Sequence, residues 1–330
     1  MRTLRRRIND AMVTVLLISF SLCSLAGQNV SAAVGDTEKG PSEIEIKRIT
    51  ETMPTKPVTA PRTPRPKLLV FSRCWGYRHS AIPYGKITLE IMAAKTDAFE
   101  VVVCDDLSNF EPENIKNFDA IFFNNTNNEI FLPEPEDLSK LSSKEKTKAI
   151  KYDKLLKKSL TDYIASGGGF GALHAGSATF REWPEFGYIL GATLQNHPWS
   201  NPGTVTLTVE EPAHPVAQAF RGPRFVVADE IYQFQAPYSR DLVRVLLSID
   251  TEKTDMNKEE IRRTDNDFAI SWVKSFGKGR VFYVALGHDH EMYWNRAFLE
   301  HLLAGLQFAL GDLKADTTPS SKVNSHKLNQ

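Results

Sequence analysis

The 330-residue sequence predicts an α/β fold built on a mainly parallel central sheet. Two observations carry that prediction: short runs apolar throughout alternate with helical patterns, and polar, chemically versatile residues follow those runs. A run apolar at every position suits a strand covered on both faces, as in a parallel sheet with helices on either side.

"KLLVFSR" (67–73), "FEVVVCD" (99–105) and "FDAIFFNN" (118–125) are three such strands, and "YGKITLEIMAAKTD" (84–97) is the helix between the first two. A long charged helix follows. It opens on Ser142 and Glu145 at capping-box spacing and carries Leu156, Leu160, Tyr163 and Ile164 on one stripe. Gly167 to Gly169 stop it. They open no helix and belong to no GxxxxGK[ST] pattern, so they read as a C-cap and not as a phosphate loop. The strand "FGALH" leads to His174, and a short helical stretch runs through "WPEFGYILGA". The later strands are "TVTLTV" (204–209), "LVRVLLSI" (242–249), "FAISWVKSF" (268–276) and "RVFYVALG" (280–287). In the last helix, 295–310, Leu299, Leu302, Leu303, Leu306 and Leu310 form one apolar face. No internal repeat is present.

At 42% hydrophobic and 24% charged residues the composition is globular, and forty basic residues balance forty acidic ones. That balance gives no electrostatic basis for binding nucleic acid or an anionic membrane. Arginines at 2, 5, 6 and 7, an apolar run from Ala11 to Leu22 and small residues thereafter read as a secretory signal peptide over 1–33. Cleavage is expected after Ala26, Ala32 or Ala33, with no stable membrane span left behind and a periplasmic or secreted destination. Cys23 lacks the small residue that a lipoprotein site needs before it. Residues 34–66, ending "TMPTKPVTAPRTPRPK", read as a disordered Pro/Thr-rich linker, and 313–330 as a disordered tail. The folded domain is then 67–312. Cys74 and Cys104 remain after cleavage, two cysteines that make no disulfide scaffold and read as buried thiols.

Ligands of open α/β sheets sit outside the carboxyl ends of the strands, so the polar residues there are the candidates. After the first strand come Arg73, Tyr77, Arg78, His79 and Ser80; after the third come Asn124, Asn125, Thr126 and Asn127, suited to hydroxyl-rich ligands and equally to turns. His174, with Ala175, Gly176, Ser177 and Ala178 behind it, has the setting of a nucleophile elbow in which an imidazole replaces the serine or cysteine. "LQNHPWS" adds His197, "VADEIYQF" adds Asp229, Glu230 and Tyr232, and "ALGHDHEMYW" adds His288. His174, His197 and His288 with one acid suit either a divalent metal such as zinc or an acid/base array. His214 reads as a turn residue, His301 as a helix-surface residue and His290 as lying outside the pocket. Trp75, Trp199 and Tyr232 are candidates for stacking on sugar faces.

"YRHSAIPYG", "GGGFGALHAGSAT", "GATLQNHP", "DEIYQF", "FAISWVKSFGKGRVFYVALGH" and "FLEHLLAGLQFALG" together resemble the ThuA-like, or trehalose-utilisation, family, over about Lys67 to Asp312. The resemblance implies a flavodoxin-like, class I glutamine amidotransferase-like three-layer sandwich. It implies a role in carbohydrate metabolism and a small carbohydrate ligand, a disaccharide or a keto-sugar. Carried over by motif, it implies a pocket of His79, His174, His197, Glu230 and His288 with Asp229 and Tyr232 beside them; with the strand-end asparagines, His174, Glu230 and His288 are expected to be catalytic and His79, Asn124, Asn125, Tyr232 and Asp229 substrate-binding. Ala172 stands where the family more often has glycine. The superfamily's elbow cysteine is His174 here, so thiolate glutaminase chemistry is not expected. A homo-oligomer is compatible with this reading.

Overall fold

The computed structural model describes residues 39–327, so the expected signal peptide, residues 34–38 of the expected linker and residues 328–330 of the tail lie outside the described residues. The chain forms helix α1 (Glu43–Thr52), strand β1 (Lys67–Phe71), α2 (Ile82–Thr96), β2 (Glu100–Val103), β3 (Ala120–Asn124), α3 (Pro135–Lys140), α4 (Ser143–Ala165) and β4 (Gly169–Leu173). It continues with α5 (Pro184–Leu190), β5 (Thr193–Val209), β6 (Arg224–Gln235), β7 (Arg244–Ile249), β8 (Ala269–Phe276), β9 (Gly279–Val284), α6 (Arg296–Leu310) and α7 (Ser320–Lys327).

The strands form one nine-stranded sheet in the order β2-β1-β3-β4-β9-β8-β7-β5-β6. From β2 to β9 every pairing is parallel, in the 2-1-3-4-5 order of flavodoxin-like sheets. Beyond β9 every pairing is antiparallel. The sheet is therefore mixed, which corrects the expectation of a mainly parallel one. The reason is physical: a strand buried on both faces is apolar throughout whichever way its neighbour runs, and β7 and most of β8 are as buried as β3. The strand β6 was expected only as the motif "VADEIYQF", and β5 is much longer than 204–209, bending through register shifts between Leu194 and Gly203.

The local signals explain the other elements. Ser142 and Glu145 form the expected capping box of α4. That helix ends through Ser166, Gly167 at φ 123° and Gly168, whose N–H groups return to the last turn, while Gly169 already belongs to β4. The leucine face of α6 is buried completely against β4 and β9. Each such leucine contributes on the order of 2 kcal/mol.

Two polar segments differ from the expected disorder. Within 39–66, Ser42 and Glu45 cap α1, Ile49 and Met53 are fully buried, and Gln307 of α6 binds the backbone of Val58 and Thr59. In the tail, Ser320 bonds the backbone of Val243 and Val245 beside β7. Composition weighs the polar majority of such a segment, whereas two apolar anchors and a few satisfied backbone groups are enough to dock it. Cys74 and Cys104 form no disulfide. Among the described residues no helix is long and apolar enough to cross a membrane.

His301 is a further correction: it is not on the helix surface but fully buried, with Nδ1 2.8 Å from the Val216 carbonyl and Nε2 2.8 Å from Ser271 Oγ. Burial lowers its pKa from 6.5 to about 4, against the Val216 carbonyl, which favours the charged ring. The native state therefore holds this ring neutral, and stability that is complete above pH 6.5 falls as the unfolded chain alone takes up the proton, down to about pH 4. The loss is on the order of 3 kcal/mol. Urea unfolding at pH 7 and pH 4 tests this: His301→Leu should lose that much less than wild type, and equal losses would assign the acid sensitivity elsewhere.

Candidate functional site

Four chain segments converge at the carboxyl ends of the parallel strands. The loop after β1 brings His79, the turn after β4 brings His174, the loop after β9 brings His288, and β6 brings Glu230 from the antiparallel wing. One ligand-capable atom from each of these four residues lies within 4.8 Å of the other three. The three imidazoles form a triangle with ring centroids 5.1, 5.3 and 5.4 Å apart.

His174 takes the elbow conformation that the small residues behind it suggest. Its φ is 43°, a left-handed backbone rare outside glycine, and a tight turn over His174–Ala178 follows directly. Gly176 is required there, because a Cβ would sit 2.7 Å from the Cβ of Ala172. The ring is fully buried, stacked on Tyr232 with centroids 4.1 Å apart, and Nδ1 lies 2.7 Å from the carbonyl of Ala285. A carbonyl only accepts, so Nδ1 carries a proton and Nε2 is the nitrogen turned toward the centre. Nε2 is 3.3 Å from Glu230 Oε2 without hydrogen-bond geometry, and it has no other partner among the described residues.

His288 is oriented in the same way: Nδ1 lies 3.0 Å from Asp289 Oδ1, which leaves Nε2 facing Glu230 Oε2 at 3.9 Å. Its loop is held from below by Asp229. That buried carboxylate accepts the N–H groups of Gly287, His288 and Asp289 at 2.6, 3.1 and 2.8 Å. Burial pushes Asp229 up to about 6, against the His174 ring and the Gly287 and Asp289 N–H groups, which favour the anion.

Burial and the facing His174 and His288 rings lower His79 to about 2, and its Nδ1 is buried with no partner. Burial alone would raise Glu230, but His174, then His288 and His197, outweigh it and lower the carboxyl to about 2. Near neutral pH the centre thus combines a neutral His79 with an ionised Glu230. His197 stands apart on the irregular part of β5, half exposed, with Nδ1 3.6 Å from the other oxygen of Glu230. The converging group therefore contains His79, read from sequence as substrate-binding, where the sequence reading had put His197.

The remaining candidates have other surroundings. Asn124 is fully buried and donates to Ser72 Oγ and the Ile82 carbonyl, tying β3 to α2. Asn125, at φ 54°, donates weakly toward the Gly287 carbonyl and Tyr293 and accepts from the Ala175 N–H, so it joins β3, the elbow and the His288 loop. Both are framework residues, and Asp229 and the buried Tyr232 act in the same way. Trp199 is buried with its N–H on the Asp255 carbonyl, and the half-buried Trp75 donates to the Leu132 carbonyl, so neither offers a free face at the centre. His214 sits in its turn, bonded to the Asp316 carbonyl. The exposed aromatic beside the centre is Tyr77, 62% exposed with its ring edge-on to His79 at 4.7 Å. Spacing identifies the histidines; nothing in the sequence marks the carbonyl of Ala285 or the carboxylate of Asp289 as their partners.

Fold and site together define a flavodoxin-like α/β protein extended by an antiparallel wing, with a buried three-histidine, one-carboxylate centre at the carboxyl ends of its parallel strands. The chain belongs to the trehalose utilisation (ThuA) family, whose model matches residues 67–309. Its fold is similar to that of a ThuA-like protein from Bacteroides uniformis, at 21% identity and a TM-score of 0.55 over 76% of this chain and 94% of that one. A ThuA-like protein from Parabacteroides merdae is similar at 16% identity and a TM-score of 0.50 over 75% and 90% of the two chains. No protein of curated function matches.

Proposed function

We propose that this protein is an exported, metal-dependent enzyme of carbohydrate metabolism that acts on a disaccharide or a keto-sugar and is not a glutaminase. Family membership supports a role in carbohydrate metabolism. The basic, apolar and small-residue succession of residues 1–33 supports export to the periplasm or beyond. The elbow position that a thiolate enzyme would fill with cysteine is His174, and Cys74 and Cys104 lie after other strands.

The observation that carries the metal assignment is the convergence of four side chains of ligand type, with their donor atoms within 4.8 Å of one another. His174 Nε2, His288 Nε2 and Glu230 Oε2 face one another, and the nearby His79 Nδ1 is buried and unpartnered. The surroundings favour an ionised Glu230 and a neutral His79, which are the forms of those two groups that ligate a cation. The donors also fit zinc: bonds of about 2.0–2.1 Å make a tetrahedral edge of about 3.3 Å. His174 Nε2 and Glu230 Oε2 are separated by 3.3 Å, His288 Nε2 and Glu230 Oε2 by 3.9 Å, and the four donors lie within 4.8 Å of one another, so the ion would draw them closer. His79, His174, His288 and Glu230 would hold the ion, which by accepting a further ligand would supply Lewis acidity toward a sugar carbonyl or a water.

The chain's own residues do the rest. Tyr232 and the Ala285 carbonyl fix the His174 ring, and Asp289 fixes His288. His197, half exposed beside the second oxygen of Glu230, is available to hydrogen-bond or exchange a proton with a substrate hydroxyl. Tyr77 offers an aromatic face to the apolar side of a pyranose. Tyr77→Ala should therefore raise KM about tenfold with kcat nearly unchanged, since a stacked aromatic is worth roughly 1 kcal/mol or more; an unchanged KM would remove Tyr77 from the substrate site.

The deciding experiment incubates the full chain, zinc-loaded and chelated, with disaccharides and their 3-keto forms. Product from the loaded protein alone is expected. Equal turnover after chelation would overturn the metal dependence, and carbohydrate binding without turnover under every metal condition would make the protein a glycan-binding module.

A further inference from the structure

Helix α1 lies outside the family-matched region, yet its contacts run toward the centre. Glu45 accepts the Tyr84 hydroxyl at 2.8 Å, and the Tyr84 ring stacks on His290 with centroids 3.9 Å apart and planes 16° from parallel. His290 Nε2 lies 2.9 Å from Ser80 Oγ. Ser80 adjoins His79, and His290 is two residues beyond His288. A single chain of contacts from α1 therefore joins the two loops that bring two of the four converging groups.

Other contacts hold α1 in place. Ile49 and Met53 are fully buried, Arg48 stands over the Trp294 ring at 5.6 Å, and Arg296 donates to the Thr52 carbonyl at 3.3 Å. These attach the helix to the segment 290–296, directly after the His288 loop. On the other side, Lys95 of α2 donates to the Thr50 carbonyl at 2.5 Å. The helix thus bridges α2, which begins immediately beyond the His79 loop, and the segment following His288.

We propose that α1 is a clamp on the centre: through Glu45, Tyr84, His290 and Ser80 it holds the His79 and His288 loops at the spacing at which their imidazoles converge. Glu45 and Tyr84 are positioning residues and touch no substrate. The helix is then a working part of the site supplied from outside the family domain. The clamp rests on the metal reading for its ligand but not for its geometry, so the two can fail separately.

The test uses the full chain and zinc ion alone. Tyr84→Phe removes the bond to Glu45 and keeps the stacked ring; Glu45→Ala removes the same bond from the other end. Each should weaken zinc binding about tenfold, the lower end of the effect of an outer-shell partner. The double variant should be no weaker than Glu45→Ala alone, because the Tyr84 bond is already gone there together with the Ser42 cap. Lys47→Ala, on the exposed side of α1, should leave affinity unchanged. Wild-type zinc affinity in both Tyr84→Phe and Glu45→Ala would overturn the clamp even if their thermal midpoints fall. If wild type binds no zinc, the metal reading fails and the clamp is decided by nitrogen-15 histidine spectra of the metal-free protein. Shifted His79 and His288 ring signals in Tyr84→Phe support it, and unmoved signals overturn it.

Discussion

Glu230→Gln is expected to abolish function and to cost some stability. The substitution keeps shape and removes the one negative charge that faces three imidazoles. His174 Nε2 and His288 Nε2 would then face a neutral amide, and a cation would lose its only anionic ligand. Zinc affinity should fall at least about a hundredfold, more than outer-shell changes produce. Turnover should fall by about 10²–10⁴, the range lost with a group that stabilises or transfers charge at a reacting centre. Stability at neutral pH should fall, because a carboxyl that the facing imidazoles lower to about 2 is favoured as an anion in the fold over the unfolded chain. Metal content, kinetics and urea unfolding on one preparation check all three, and unchanged metal content and turnover would take Glu230 out of the centre.

Asp229→Ala is expected to act in the opposite way, through the fold first. Three backbone N–H groups of the His288 loop end on this carboxylate, and Asp229 is completely buried. Each buried donor left unmet costs about 1–3 kcal/mol. The variant should lose at least about 3 kcal/mol in urea unfolding, a large share of the stability of an ordinary domain. His288 would also lose its fixed position, since Gly287, at φ 110°, and Asp289 are held by the same carboxylate. A loss below about 1 kcal/mol would show that the loop finds other acceptors. Asp229→Asn should be intermediate, keeping an acceptor for some of these donors and turning an amide N–H toward the rest.

Much of this protein is legible before any coordinates. Capping residues, glycine stops and apolar periodicity are local signals, and they place α4, α6 and the five parallel strands close to where they form. The elbow is legible too, because a histidine backed by Ala175, Gly176, Ser177 and Ala178 describes a backbone that few side chains tolerate. Pairing direction is not legible: a strand apolar on both faces looks the same beside a parallel or an antiparallel neighbour, and so the wing from β8 to β6 reads as more of the same sheet.

The exchange of His197 for His79 has a similar cause. Both follow plausible strand signals, and which ring turns inward depends on loop paths set by contacts far away in sequence, such as Asn127 Nδ2 on the Tyr77 carbonyl and His290 on Ser80. The role of 39–66 was hidden for a related reason: its attachment rests on Ile49, Met53 and hydrogen bonds to Gln307, a small number of long-range contacts within a polar, proline-rich stretch.

By itself, then, the sequence determined the α/β class, the position of the elbow and the residue types available for chemistry, because these follow from local sterics and periodic burial. The tertiary structure alone decided which four side chains meet, which ring nitrogen each histidine presents, and that a helix outside the family domain reaches the centre. Those depend on partners such as the Ala285 carbonyl, Asp289 and Glu45, whose spatial proximity to the site only the folded backbone creates.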